Sequence, residues 1–422
     1  MTFGPSLTAG NSGIAQRLPT IGLPEFSAIL ALVSLYSYVV YYLFGHGAPF
    51  LQPNYVYSVV YFLGSLVYAT NERARQGIAG HTTVLALWVA LIIIMAFQFL
   101  VLEISPEGLG LFYGRIHFFL TLLSMIIILN ACKRLDVVIA TLGWVIVAGC
   151  VVNVAEFFFA GTMFDWMSNV PGRAAGFYEN ANDSAMFICM GIPIVGLGLS
   201  ARLRWVFYAV TLIGVYVTFS RGGLISWGLF AATTEVVLGS RRRGWGTRAL
   251  VMMMAALCTI GALSYFSSDI EKSLSEALWP YLDANTSARM EFLSNDSTDE
   301  RMSVLQHGLE AFASAPLFGQ GVGYTHAWEY KVSVHNMIVL MLAELGLIGG
   351  FWYALFLLSL WKYGRPYGVT VLLIILVTGF FSHNHLERPA VAMIVALYVV
   401  AARTPSLAPP NRALRELRRA AQ

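Results

Sequence analysis

Four arginines stand where an anion would meet them. Arg173 lies in the loop "GRAAGFYENAND", Arg221 in the almost loopless turn "TFSRGG", Arg301 at the head of an amphipathic stretch and Arg388 in "SHNHLERP". A guanidinium is planar, permanently charged and shaped for bidentate binding of phosphate. Arg221 also opens a helix, whose first amides favour an anion. A single arginine near a membrane interface snorkels to lipid phosphate or pairs with an acid. Four on one face point to an anionic, phosphate-bearing lipid as substrate. A second polar feature lies in "EYKVSVHNMIVLMLAELGLIGG", residues 329–350, which begins as a soluble loop and ends as a membrane span. His335 and Asn336 mark the threshold.

Two rival chemistries are weaker. Metal catalysis needs carboxylates and histidines at ligand spacing. His383 and His385 are two apart with only Glu387 near them, His326 is distant in sequence, and the outer loop "GHGAPFLQPN" contains no acid. Neither a metal site nor a cofactor is expected. Transport needs ionisable groups at mid-bilayer and broken helices in matching halves. Glu344 and Glu156 are the nearest such groups, no internal repeat is evident, and Glu344 has a simpler use as a hydrogen-bond partner for a neighbouring helix.

The elements that must position these residues are transmembrane helices. Of 422 residues, 57% are hydrophobic and 12% charged, against roughly 25% charged in a soluble domain. Only helices and closed barrels satisfy their backbone in lipid, and about 20 apolar residues span it as a helix. The class is all-α and polytopic. Apolar runs predict about twelve spans, at 24–44, 54–69, 83–102, 112–130, 136–160, 183–199, 204–218, 222–239, 249–266, 335–361, 367–381 and 389–402. With both termini cytoplasmic, 18 of the 26 Lys and Arg fall on the inner side, as the positive-inside rule requires.

Five segments follow: a disordered cytoplasmic leader, 1–23; nine spans, 24–266; an outer loop, 267–334; three more spans, 335–402; and a basic tail, 403–422. The leader lacks the charged start and apolar core of a cleavable signal. The inner cluster "SRRRGWGTR" and the tail read as orientation signals touching anionic lipid. Cys132, Cys150, Cys189 and Cys258 lie in or beside spans without CxxC spacing and read as packing residues. At this length the outer loop is functional or disordered. Its stretches "SDIEKSLSEALWPYL" and "STDERMSVLQHGLEAFAS" carry helical periodicity, the second with a capping pattern at its start. The glycines of "APLFGQGVGY" then end the helix and permit close backbone approach. A helical subdomain on the outer surface is expected.

Taken in order, Arg173-x-x-Gly176, Asn180-x-Asn182, Ser220-Arg221-Gly222, Arg301 leading into "APLFGQGVGY", His335-Asn336 and Glu344-Leu-Gly-Leu-Ile-Gly349 resemble the O-antigen ligase family. The resemblance covers about 170–400, and the first five spans match only in hydropathy. One departure is Asn180-Ala181-Asn182, where the family often has Asn-Pro-Asn, which leaves the turn geometry there open.

The resemblance implies a GT-C-type glycosyltransferase of the bacterial inner membrane with a periplasmic active site. It would move a glycan from undecaprenyl pyrophosphate to a sugar hydroxyl of lipid A-core, without metal and with inversion, completing lipopolysaccharide. O-antigen polymerase and protein O-oligosaccharyltransferase share that donor and remain alternatives, with a lipid-glycan transporter behind them. Partners are the donor, the acceptor and membrane lipids; no nucleic acid is expected. Arg221 and Arg301, with Arg173 and Arg388, would offset charge on the departing pyrophosphate. His335 would be the general base, since an unperturbed imidazole titrates near 6.5 and a helix start disfavours its charged form. Asn180, Asn182, Asn336, His326 and His383 are expected as substrate contacts, with helix capping an equal use for the asparagines.

Overall fold

The computed structural model describes residues 21–102, 105–169, 172–239, 296–328, 334–364, 367–382 and 384–404. Within them the chain is all-helical, with one isolated bridge between Ala160 and Phe164. The helices are α1 (Leu23–Ala31, continued by a π-helical turn, Leu32–Tyr36), α2 (Val39–Gly45), α3 (Pro53–Thr70), α4 (Glu72–Ala79) and α5 (Thr82–Val101). Then come α6 (Pro106–Ala131), α7 (Leu135–Phe159), α8 (Ala181–Gly198), α9 (Ala201–Tyr216) and α10 (Arg221–Gly239). The last five are α11 (Asp296–Ser314), α12 (Tyr324–Ala327), α13 (Met337–Tyr363), α14 (Gly368–Phe381) and α15 (Pro389–Ala401).

Each expected span falls on one helix except the first, 24–44, which is the α1–α2 pair, and 249–266, which lies outside the described residues. So do most of the leader, the stretch "SDIEKSLSEALWPYL" and nearly all of the tail. By length and apolar composition α5, α6, α7, α8 and α13 are able to cross a membrane. The α1–α2 pair makes a sixth candidate, bent by 48°. Its bend falls at Ser37–Tyr38, where Tyr38 adopts the left-handed region at φ 60°. Helices α14 and α15 are shorter and apolar.

The centre of the bundle is α15. All thirteen of its residues are buried, as a helix apolar on every side requires. It packs against α6 and α8, and α8, itself buried along nearly its whole length, packs on α7, α9 and α10. Large apolar side chains such as Phe62, Ile93, Leu100, Trp144 and Phe158 face outward, which suits lipid rather than water.

Helix α13 is not continuous. Gly346 takes φ 65° and ψ −155°, so the apolar run that reads as a single span is two rigid pieces, Met337–Leu345 and Leu347–Tyr363. A break at membrane depth exposes backbone groups that must be satisfied by protein. The segment "APLFGQG" supplies the partners. Leu347 N donates to Pro316 O at 2.8 Å, while Gln320 N and Gly321 N donate to Ala343 O and Glu344 O at 2.9 and 3.0 Å. Gln98 Nε2 of α5 adds a bond to Glu344 O at 3.1 Å. The approach is so close that a Cβ on Gly319 or Gly346 would run into the opposing backbone, and both glycines have positive φ. The glycines expected to permit close approach therefore act against the span that follows them.

Candidate functional site

The N-terminus of α8 organises a cationic rim. Asn180 is extended and caps the helix, its Oδ1 accepting from Asn182 N and Asp183 N at 2.9 and 3.3 Å. Ala181 is then the first helical residue, where proline is well tolerated. That answers the open turn geometry, because Ala181 holds a position that accepts either residue.

The two residues after it each hold an arginine. Asn182 Oδ1 accepts from Arg173 Nη2 at 2.9 Å. Asp183 Oδ2 accepts from Arg388 Nη2 at 2.7 Å, and Arg388 Nη1 reaches the Tyr38 hydroxyl at 3.2 Å. The buried Nε of Arg388 has no hydrogen-bond partner among the described residues. Tyr38 is fixed from behind by stacking on Tyr41 and Phe187, with centroids 4.7 and 5.4 Å away. Its left-handed backbone is costly, by about 1–3 kcal/mol, and such strain gathers at functional sites.

Arg173 is set by its loop. Glu156, buried near the end of α7, accepts from Ser168 N, Ala175 N and Gly176 N at 2.6, 2.8 and 2.6 Å. Its role is thus to fold the loop rather than to carry an ion. Arg173 Nε then donates to Thr218 O at 3.0 Å, beside the bond from Ala174 N to Val217 O. Thr218 belongs to the α9–α10 turn, where Ser220 Oγ accepts from Gly223 N at 3.1 Å and Arg221 begins α10, exposed. The first turn of α10 lies against that of α8, since a Cβ on Gly223 would collide with Ala185. Arg173 and Arg388 are therefore held at one helix end, and the start of α10, which Arg221 opens, lies beside it. Arg301 lies in α11, and its side chain, like the whole of His383, is outside the described residues.

His335 sits half-buried directly before α13. Asn336 caps that helix, accepting from Ile338 N and Val339 N at 3.0 and 3.2 Å. Capping accounts for Asn336 and Asn180, whereas Asn182 orients an arginine. The far end of the Met337–Leu345 piece carries Glu344, fully buried. Its Oε2 meets Arg115 Nη2 at 3.3 Å, and its Oε1 accepts from Thr325 Oγ1 at 2.9 Å and faces His326 Nδ1 at 3.6 Å. Arg115 Nε reaches Glu387 Oε1 at 3.2 Å. Burial pushes the Glu387 carboxyl up, against the opposing pull of Arg115. His385, in the same short turn, is wholly buried beside the Tyr353 hydroxyl, and burial holds its imidazole down at about 4.

Sequence reasoning missed Arg115, Asp183 and Tyr38 and gave Glu387 no role. The signal available was charge inside apolar runs: Arg115 and Glu344 each interrupt a span, and intramembrane ions of opposite sign are expected to pair. Among the described residues no group of three or more His, Cys, Asp and Glu is placed to hold a metal ion.

No curated protein matches the chain. Residues 206–354 match the model of a family described as O-antigen ligase. That segment holds Arg221, Arg301, His326, His335, Asn336 and Glu344. Arg115, Arg173, Asp183, Glu387 and Arg388, which meet or neighbour them, come from outside it. The order of motifs and the matched segment agree, and residues 206–354 are similar to the O-antigen ligase family.

Proposed function

We propose that the protein is an O-antigen ligase. It takes a glycan from undecaprenyl pyrophosphate and joins it to a sugar hydroxyl of lipid A-core on the periplasmic side of the inner membrane. The architecture in this reading is GT-C-like, with about twelve spans, both termini cytoplasmic, and residues 267–334 as a periplasmic subdomain. The observation that carries it is the placing of Arg173 and Arg388 at the N-terminus of α8, with the start of α10 at Arg221 beside it. Phosphate oxygens gain charge as the glycan departs, and preorganised guanidinium and amide donors lower that barrier.

In this reaction the acceptor oxygen attacks the anomeric carbon while the bond from that carbon to the pyrophosphate oxygen breaks. Attack from the face opposite the leaving group inverts the carbon. The pyrophosphate leaves as an anion held by Arg221, Arg173, Arg388 and Arg301, with no metal required. His335 takes the proton of the acceptor hydroxyl, a role worth about 10²- to 10⁴-fold. His326 and His383 face the acceptor, and Asn182 keeps Arg173 aimed.

A gene deletion tests the reading. Lipopolysaccharide from the deletion strain should be bare core, with full-length glycan accumulating on the polyprenyl carrier. Core capped by a single repeat would make the protein a polymerase, and an unchanged profile would remove both readings.

A further inference from the structure

We infer that Arg115, a residue of α6 outside the matched segment, is a positioning residue that fixes the His335 end of the site relative to the arginine rim. The inference rests on the ligase reading for what is being positioned, and on geometry for how. Because α13 is broken at Gly346, its helical hydrogen-bond ladder does not carry orientation from the long piece, Leu347–Tyr363, into Met337–Leu345. The short piece is oriented by what grips it from the side. The segment 316–321 and Gln98 hold its backbone end, and its buried Glu344 carboxylate is held by Thr325 and His326 on Oε1 and by Arg115, from another transmembrane helix, on Oε2.

The same guanidinium reaches Glu387, one residue before Arg388 in the turn leading to α15. One rigid fork thus spans two elements. Its Nη2 fixes the half-helix Met337–Leu345 that follows His335, and its Nε fixes the turn that presents Arg388 to Asp183 and Tyr38. Lysine, a point charge with no planar fork, does not reproduce such a bridge.

Stability alone is a poor reason for this cluster. Buried ion pairs and triads are often replaced by apolar or neutral groups of similar volume at no cost, whereas removing one partner is costly. Misplacing reacting groups by about 1 Å lowers a rate by as much as about 100-fold. A bridge with little net stability and a fixed geometry is what positioning requires.

The test uses the full-length protein in detergent with a balanced variant, Arg115→Met with Glu344→Gln and Glu387→Gln, which leaves no unpaired buried charge. Arg115→Lys is the second variant. Two readouts are taken beside the melting temperature. One is transfer kinetics with a polyprenyl-pyrophosphate-linked glycan and lipid A-core. The other is the distance distribution between spin labels at exposed positions Ile338 and Phe380, in a background without cysteine.

The balanced variant should melt near the wild-type temperature and bind donor within about threefold of wild type. Its kcat should fall roughly 10- to 100-fold, and its label distances should shift or broaden. Arg115→Lys should follow it in kcat. A balanced variant with wild-type kcat and an unchanged distance distribution would overturn the inference. If the wild-type protein transfers no glycan from that donor, the ligase reading fails, and the label distances alone decide whether Arg115 positions these elements.

Discussion

Arg115 and Arg221 are chemically identical and stand in opposite electrostatic settings. Arg115 is sealed in the bundle and answered by two carboxylates, Glu344 and Glu387. Arg221 is exposed at a helix start, and Arg173 donates to the Asn182 amide oxygen and the Thr218 carbonyl oxygen. Arg388 is intermediate, paired with one carboxylate and retaining a buried Nε with no hydrogen-bond partner among the described residues. The number of arginines at one end of a membrane bundle therefore says little. What matters is which of them stay exposed, because those present their charge to an anionic substrate.

Single substitutions should separate the two kinds. Arg115→Ala leaves two buried carboxylates unanswered, and its loss of stability should be about 3–5 kcal/mol. That appears as a large fall in melting temperature or in the yield of folded protein. Arg221→Ala should leave the melting temperature unchanged and lower kcat by about 10²- to 10³-fold. Equal melting losses in the two variants would dissolve the distinction.

Arg388 sharpens it. Arg388→Ala should lower both stability and transfer, because the buried Asp183 carboxylate then lacks its partner. Adding Asp183→Asn should restore the melting temperature and leave transfer impaired. Recovery of transfer by the double variant would make Arg388 structural only.

Acid should act on the buried side of the comparison. The imidazole of His385 is held at about 4 by burial, while an unfolded chain titrates near 6.5. Between those values the unfolded chain binds a proton that the folded chain refuses. Stability therefore falls as pH drops from about 6.5 to about 4 and levels off below. His385→Gln should flatten that part of a melting curve measured against pH. The smallest effect is expected at Asn336, where loss of the cap through Asn336→Ala should lower stability by about 1 kcal/mol.

Much of this was legible in the sequence. Apolar runs mark the described helices closely, and the caps at Asn180 and Asn336 follow from residue type and position. The nearness of Arg173 to the Arg221 turn is less direct, since it depends on Glu156 folding the intervening loop. The break at Gly346 was hidden because glycine in an apolar run is also compatible with a continuous helix. Arg115 was legible only as a charge inside a span. Its partners lie 229 and 272 residues away, and no local period encodes a pairing at that range. The candidate site residues thus lie both inside and outside the matched segment, and Arg115, which grips two of the elements that carry them, comes from a helix whose sequence shows little beyond hydropathy.

The most direct test of the cationic rim is the affinity of purified protein for undecaprenyl pyrophosphate carrying no glycan, compared between wild type and Arg221→Ala at two salt concentrations. The wild type should bind, more weakly at high salt. Arg221→Ala should bind at least about tenfold less tightly at an unchanged melting temperature. Equal affinity in the two proteins, or a wild-type protein that does not bind the carrier, would contradict the assignment of the rim to pyrophosphate.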